Sequence, residues 1–252
     1  MKIAFADLQT YRSAAPDEAV VVVDVLRSFT TAAYLFRAGA RSLLLAATPD
    51  EARMLAQRFP LAVTVGAAPG GFPIDGFDLG NSPAALQNVH LTGRDVVLCT
   101  AGGVRGANVA RHAALLLGGS LVCAAATAHL LRRLNPPRVT LLITGIYADR
   151  DGDEDIACAE YLAAHLQGQT PDPAPFERRV RESTFGRRFG DPAYPHLSRA
   201  DMDLCARADV FDFALPIVRQ AGMMMVVRGN DDALEKGLTQ RCMKGDRNIG
   251  VQ

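Results

Sequence analysis

Four consecutive valines, Val20 to Val23, constrain this chain more than any other stretch. An unbroken β-branched run suits a strand buried on both faces, and such strands belong to parallel sheets covered by helices. Similar apolar runs recur at 42–46, 62–65, 95–99, 120–124 and 139–143, separated by segments with helical start signals. Thr48-Pro49-Asp50-Glu51 is one such signal, a capping box with proline in the first turn. The alternation predicts an α/β protein, three-layer α/β/α, with a largely parallel or mixed central sheet. At 252 residues and 49% hydrophobic content, the chain has enough core for one domain over 1–252 or for two lobes. The texture breaks at 169–196, where prolines bracket Arg178, Arg179, Arg181, Arg187 and Arg188. This reads as a surface excursion with a charged helical face, or more sharply as an anion-binding or lid segment. Apolar runs return at 211–218 and 223–227, and a polar tail is expected after Gly229.

Basic and acidic side chains number 27 each, so no overall field favours nucleic acid or an anionic membrane. All but three of the basic residues are arginine, a side chain suited to gripping phosphate, carboxylate or sulfonate with two donors. Cys99, Cys123, Cys158, Cys205 and Cys242 are widely spaced with no Cys-x-x-Cys pair, which argues against a structural zinc site or a disulfide framework. The opening Lys2-Ile3-Ala4-Phe5 shows no charged leader and no long apolar run follows, so neither a signal peptide nor a membrane span is expected. A cytoplasmic enzyme is the default expectation.

In open α/β sheets, ligands bind beyond the carboxyl ends of the strands. The residues there are small, polar and charged: Asp24 and Arg27 after the valine run, the loop 66–81, Thr100 with Gly102 and Arg105 after the run at 95–99, and Thr144-Gly145. Within the long loop, Gly76-Phe77-Asp78-Leu79-Gly80-Asn81-Ser82-Pro83 combines two glycines, a carboxylate, an amide and a hydroxyl. Ser82-Pro83 reads as a helix start that would aim free amides at an anion. Taken alone, the segment reads equally well as a capped turn with a buried aspartate. Paired carboxylates with arginine nearby suit Mg²⁺-assisted hydrolysis of a phosphate ester. The acidic run 149–155 lacks the later ligands of a calcium loop, and neither glycine-rich loop has P-loop or dinucleotide spacing. The five histidines show no ligand spacing, and no nucleophile elbow is present.

Asp24-Val25-Leu26-Arg27 with Thr30-Thr31, then 76–83, Glu154-Asp155 before Cys158-Ala159, and Asp201 to Cys205 with Asp209 and Pro216 follow one another in a recognisable order. This set resembles the 2-phosphosulfolactate phosphatase family. The resemblance implies a Mg²⁺-dependent phosphatase that hydrolyses 2-phosphosulfolactate, a step of coenzyme M biosynthesis, or a similar small phosphorylated acid. It implies that Asp24 and Asp78 serve the metal or the attacking water and that Arg27 grips the phosphoryl or acid group. Substrate contacts are expected from Asn81, Ser82, Thr100, Gly102, Arg105, Glu154 and Asp155. No nucleic-acid or membrane partner is implied, and a homodimer is left open. Two departures from the family pattern stand out: Gly66 is followed by Ala67 where glutamate is expected, and 99–103 reads Cys-Thr-Ala-Gly-Gly where a Thr-x-Asn-Gly-Thr loop is expected. The rival reading is therefore a weakened relative that binds a small anion or a partner without turnover. A nucleotide-binding α/β protein is the third and least favoured reading.

Overall fold

The strand that the valines announce, β2 (Glu18–Val23), is buried along its whole length. Val20 and Val22 face one hydrophobic cluster, Val21 and Val23 the other, as the two-residue period of a strand requires. The computed structural model describes residues 1–229; the tail expected after Gly229, with Cys242, lies outside the described residues. Ten strands form one mixed sheet in the order β1-β8-β2-β7-β9-β10-β3-β6-β4-β5. These are β1 (Lys2–Asp7), β3 (Ser42–Leu45), β4 (Val63–Ala67), β5 (Leu79–Gly80), β6 (Asp95–Thr100), β7 (Leu115–Gly119), β8 (Arg138–Ile143), β9 (Leu215–Gln220) and β10 (Met223–Val226), with β2. β1-β8-β2-β7 is one parallel group and β3-β6-β4-β5 another. The antiparallel hairpin β9–β10 joins them, pairing with β7 on one side and β3 on the other.

Helices cover both faces, so the α/β expectation holds. α1 (Ser28–Arg37) and α3 (Gly103–Val109) bury their apolar sides in a cluster that draws on strands of both parallel groups. On the opposite face, α4 (Ala124–Leu134), α5 (Asp153–Leu166), α6 (Ala174–Glu182) and α7 (Arg199–Cys205) cover the β8-β2-β7 side. There α2 (Pro49–Arg58) covers β3 and β6, its first turn capped as expected by Thr48 Oγ1 accepting from Glu51 N at 3.1 Å. No helix among the described residues is long and apolar enough to cross a membrane.

The run at 120–124 is not a strand: residues 121–123 form a 3₁₀ turn that leads into α4, and the strand is β7, immediately before it. Gly118 and Gly119 end β7, and glycine weakens the apolar signal of a strand. Gly118 has a packing reason, because a Cβ there would overlap the Phe29 ring of α1. The excursion at 169–196 contains α6, two of whose three arginines are in ion pairs: Arg179 with Asp153 and Glu160, and Arg181 with Asp203 at 2.9 Å. Gly118→Ala should cost about 1–3 kcal/mol by overpacking, lowering the thermal midpoint while leaving the circular dichroism spectrum native. An unchanged midpoint would show that α1 is not held by this contact.

Candidate active site

The carboxyl ends of β2, β4, β6 and β8 meet at a cavity of about 540 Å³, lined among others by Asp24, Arg27, Asn81, Thr100, Gly102, Arg105, Glu154 and Asp155. These eight are the sequence-derived candidates that the fold brings together. Asp24 leaves β2 with its carboxylate turned onto the start of α1: Ser28 N donates to Oδ1 at 3.0 Å and Ser28 Oγ to Oδ2 at 2.7 Å. Thr100 Oγ1, at the end of β6, lies 2.9 Å from Ser28 Oγ. Gly102 is required beside it, since a Cβ would stand 2.5 Å from Asp24 Oδ2. The Leu26–Arg27 peptide in this loop is cis.

The first turn of α5 supplies the other two carboxylates, favoured there by the helix dipole. Asp155 is 2% exposed; its Oδ1 accepts from Val25 N at 2.8 Å, and its Oδ2 from Gly145 N at 2.8 Å and Thr144 N at 3.2 Å. Glu154 is equally buried, and its Oε2 has no hydrogen-bond partner. Burial pushes all three carboxyls upward, Glu154 to about 7, and the charges of Asp24 and Glu154 push Asp155 further. Asn81 Oδ1, on the opposite wall, is a second buried acceptor without a donor. The cavity thus has an electron-rich floor with unmet acceptor capacity.

Two candidates fall elsewhere. Asp78 was expected to share a cavity with Asp24, but it is exposed and does not line the cavity. Its Oδ2 accepts from Thr64 N and Thr64 Oγ1, both at 2.8 Å, and its own N donates back to Thr64 Oγ1 at 2.9 Å. The carboxylate of this loop therefore pins β5 in register against β4. Ser82 does not open an α-helix either; only a 3₁₀ turn over Ala85–Asn88 follows. The anion at those amides is the protein's own Asp201, whose Oδ1 accepts from Ala84 N at 2.9 Å and Ser82 Oγ at 2.8 Å. Asp201 Oδ2 also holds Arg27 at 2.6 Å, with both side chains buried.

Thr144, placed at a strand end by the sequence, and Arg188, from the segment with an anion-binding alternative, line the cavity without having been singled out as contacts, and Ser28, Tyr147, Arg150 and Phe185 were missed. Ser28 follows the strand end closely and could have been included on that ground. Arg188 comes from the excursion and is paired with Asp149 at 3.0 Å.

Glu154 gives the floor a measurable pH signature. Its folded pKa of about 7 exceeds the ordinary value of 4.5, so the native state retains a proton that the unfolded chain has lost between those pH values. Stability then falls as pH rises from 4.5 through 7, by about 3 kcal/mol when complete. In metal-free buffer, Glu154→Gln should melt above the wild type at pH 8.5, with the gap narrowing toward pH 5. A difference in midpoint that is independent of pH would refute this.

The model of the family described as 2-phosphosulpholactate phosphatase matches residues 6–220. A Bacillus subtilis protein is 30% identical over 219 residues, covering 86% of this chain and 95% of its own length. One from Carboxydothermus hydrogenoformans is 31% identical over 226 residues, 84% of this chain and 91% of its own. A third, from Deinococcus radiodurans, is 36% identical over 185 residues, 70% of this chain and 72% of its own. Each carries the name "Probable 2-phosphosulfolactate phosphatase". With the match running from β1 to the end of β9, the chain belongs to the 2-phosphosulpholactate phosphatase family, a family of phosphoric monoester hydrolases.

Proposed function

We propose that the protein is a Mg²⁺-dependent phosphatase that converts a small phosphorylated acid, 2-phosphosulfolactate or a close analogue, to the hydroxy acid and phosphate. The observation that carries this reading is one cavity in which oxygen acceptors without donors face guanidinium groups, in a chain of this family. Among the described residues no three His, Cys, Asp or Glu side chains converge as a ready-made metal cage. That suits Mg²⁺, which takes one or two carboxylates and completes its shell with water and phosphate oxygens. Asp24, Glu154 and the amide oxygen of Asn81 would hold it. Bound there, the ion would neutralise phosphoryl charge and orient the attacking water.

The chain's own groups divide the remaining work. Ser28 fixes the Asp24 carboxylate through two hydrogen bonds. Asp155 has its oxygens committed to backbone donors and serves as an anchor. Arg105, on α3, offers donors to the phosphoryl oxygens. Arg27, committed through one nitrogen to Asp201, positions the loop. The cytoplasm is the proposed setting.

A second reading, an anion binder without turnover, is favoured by Ala67 and Ala101. Both line the cavity where the family pattern leads one to expect a carboxylate and an amide. Phosphate release from small phosphate esters with Mg²⁺ separates the two readings. Under the first, Asp24→Asn should lose on the order of 10²-fold in kcat/KM, whereas Asp78→Asn should keep activity and lose only stability. Similar losses in both variants, or no release by the wild type, would reject it. Ala67→Glu adds an oxygen ligand for a hard cation, so Mg²⁺ should raise its melting temperature more than that of the wild type. An equal rise would mean that position 67 does not face the ion.

A further inference from the structure

We infer that Arg150 reads a second acid group on the ligand, a carboxylate or sulfonate a few bonds from the phosphoryl group. The inference rests on the proposed phosphatase reading for what occupies the floor. It rests on the geometry of Arg150 for the rest.

Four arginines line the cavity, and two of them are already neutralised: Arg27 by Asp201 and Arg188 by Asp149. Arg105 is exposed on α3, on the β6 side. Arg150 stands on the β8–α5 loop, and its guanidinium makes no hydrogen bond or ion pair with another described residue. It lies instead over the Phe185 ring, its centre 3.5 Å from that centroid, with the Tyr147 centroid 5.5 Å away. Stacking fixes the plane of the group and leaves its edge of donors free, and that edge matches an oxyanion with two hydrogen bonds.

The group is held ready for a ligand. Tyr147 and Arg150 exchange backbone bonds, Tyr147 N to Arg150 O at 3.1 Å and Arg150 N to Tyr147 O at 3.2 Å. The next residue is tied to the platform itself: Asp151 N donates to Thr184 Oγ1 at 2.9 Å, and Thr184 directly precedes Phe185. Arginine and ring therefore move as one unit, and little rotamer freedom is left to lose on binding. Burial and the neighbouring Arg188 disfavour the charge on Arg150, so an incoming anion relieves a repulsion as well as making contacts. A bare phosphoryl group bound at the floor would leave this cation unmatched. A compact phosphorylated acid satisfies both ends of the cavity.

Phosphonates test this without turnover, because their C–P bond is not a phosphate ester. The full chain with Mg²⁺ would be titrated calorimetrically with phosphonoacetate, 2-phosphonoethanesulfonate and ethylphosphonate, which carry a carboxylate, a sulfonate and no second acid. The wild type should bind at least one of the acid-bearing compounds about 10- to 100-fold more tightly than ethylphosphonate. The tighter of the two identifies the acid. In Arg150→Met that preference should shrink to about threefold or less, and in Arg150→Lys, which keeps charge but loses the fork, it should be intermediate. Should Arg150→Met not fold, Arg150→Lys and Phe185→Leu carry the test through the same ratio. No preference in the wild type, or a preference that survives in Arg150→Met, overturns the assignment. Failure to release phosphate from esters would sink the phosphatase reading alone, since these binding ratios do not depend on hydrolysis.

Discussion

Asp155 fastens the strand ends to one another. Through Val25 N, Thr144 N and Gly145 N, its carboxylate joins the loops after β2 and β8 to the first turn of α5. A group so placed works against its own burial and against the charges of Asp24 and Glu154. Backbone donors and the amino end of a helix offset part of that opposition. The crowding of carboxyl groups at the floor is thus built into the way the loops are held. A residue at 155 without an acceptor oxygen would release those donors and slacken both loops together.

A second clasp closes the other side. Asp201, from the first turn of α7, takes Arg27 with one oxygen and Ser82 and Ala84 with the other. It brings three stretches, remote in sequence, to one buried point and leaves none of its own acceptors idle. Breaking such a pair from one side strands a charge in the interior, at a cost of about 3–5 kcal/mol. Loop 76–83 therefore owes its placement to an internal ion pair, and Asn81 reaches the cavity wall because its neighbours are held from behind.

Much of this was legible in the residues. The valine run and its counterparts mark the buried strands because burial on both faces leaves no place for polar residues, and the polar groups directly after them line the cavity. What escaped did so for identifiable reasons. Asp78 and Asn81 lie in one loop, yet Asp78 turns back onto Thr64 while Asn81 turns inward, and the string does not record that reversal. Ser82 and Pro83 carry a genuine helix-start signal, but the turn they begin ends as a 3₁₀ element and its Ala84 amide is answered by a carboxylate 117 residues away. Among the four arginines of the cavity, Arg150 alone combines a ring beneath it with a guanidinium that pairs with no described residue. Both facts depend on the excursion folding back, which composition does not reveal.

The hairpin β9–β10 is the only strand connection between the two parallel groups among the described residues. One wall of the cavity belongs to β2 and β8, the other to β4 and β6, and the strands that join their groups are the last two of the described strands in chain order. A nascent chain that has not yet emerged to Val226 has every residue of the cavity but no continuous sheet to align its halves. The two halves of the site are consequently joined only when β9 and β10 have followed every cavity residue off the ribosome, and a chain cut back through β9 loses that connection.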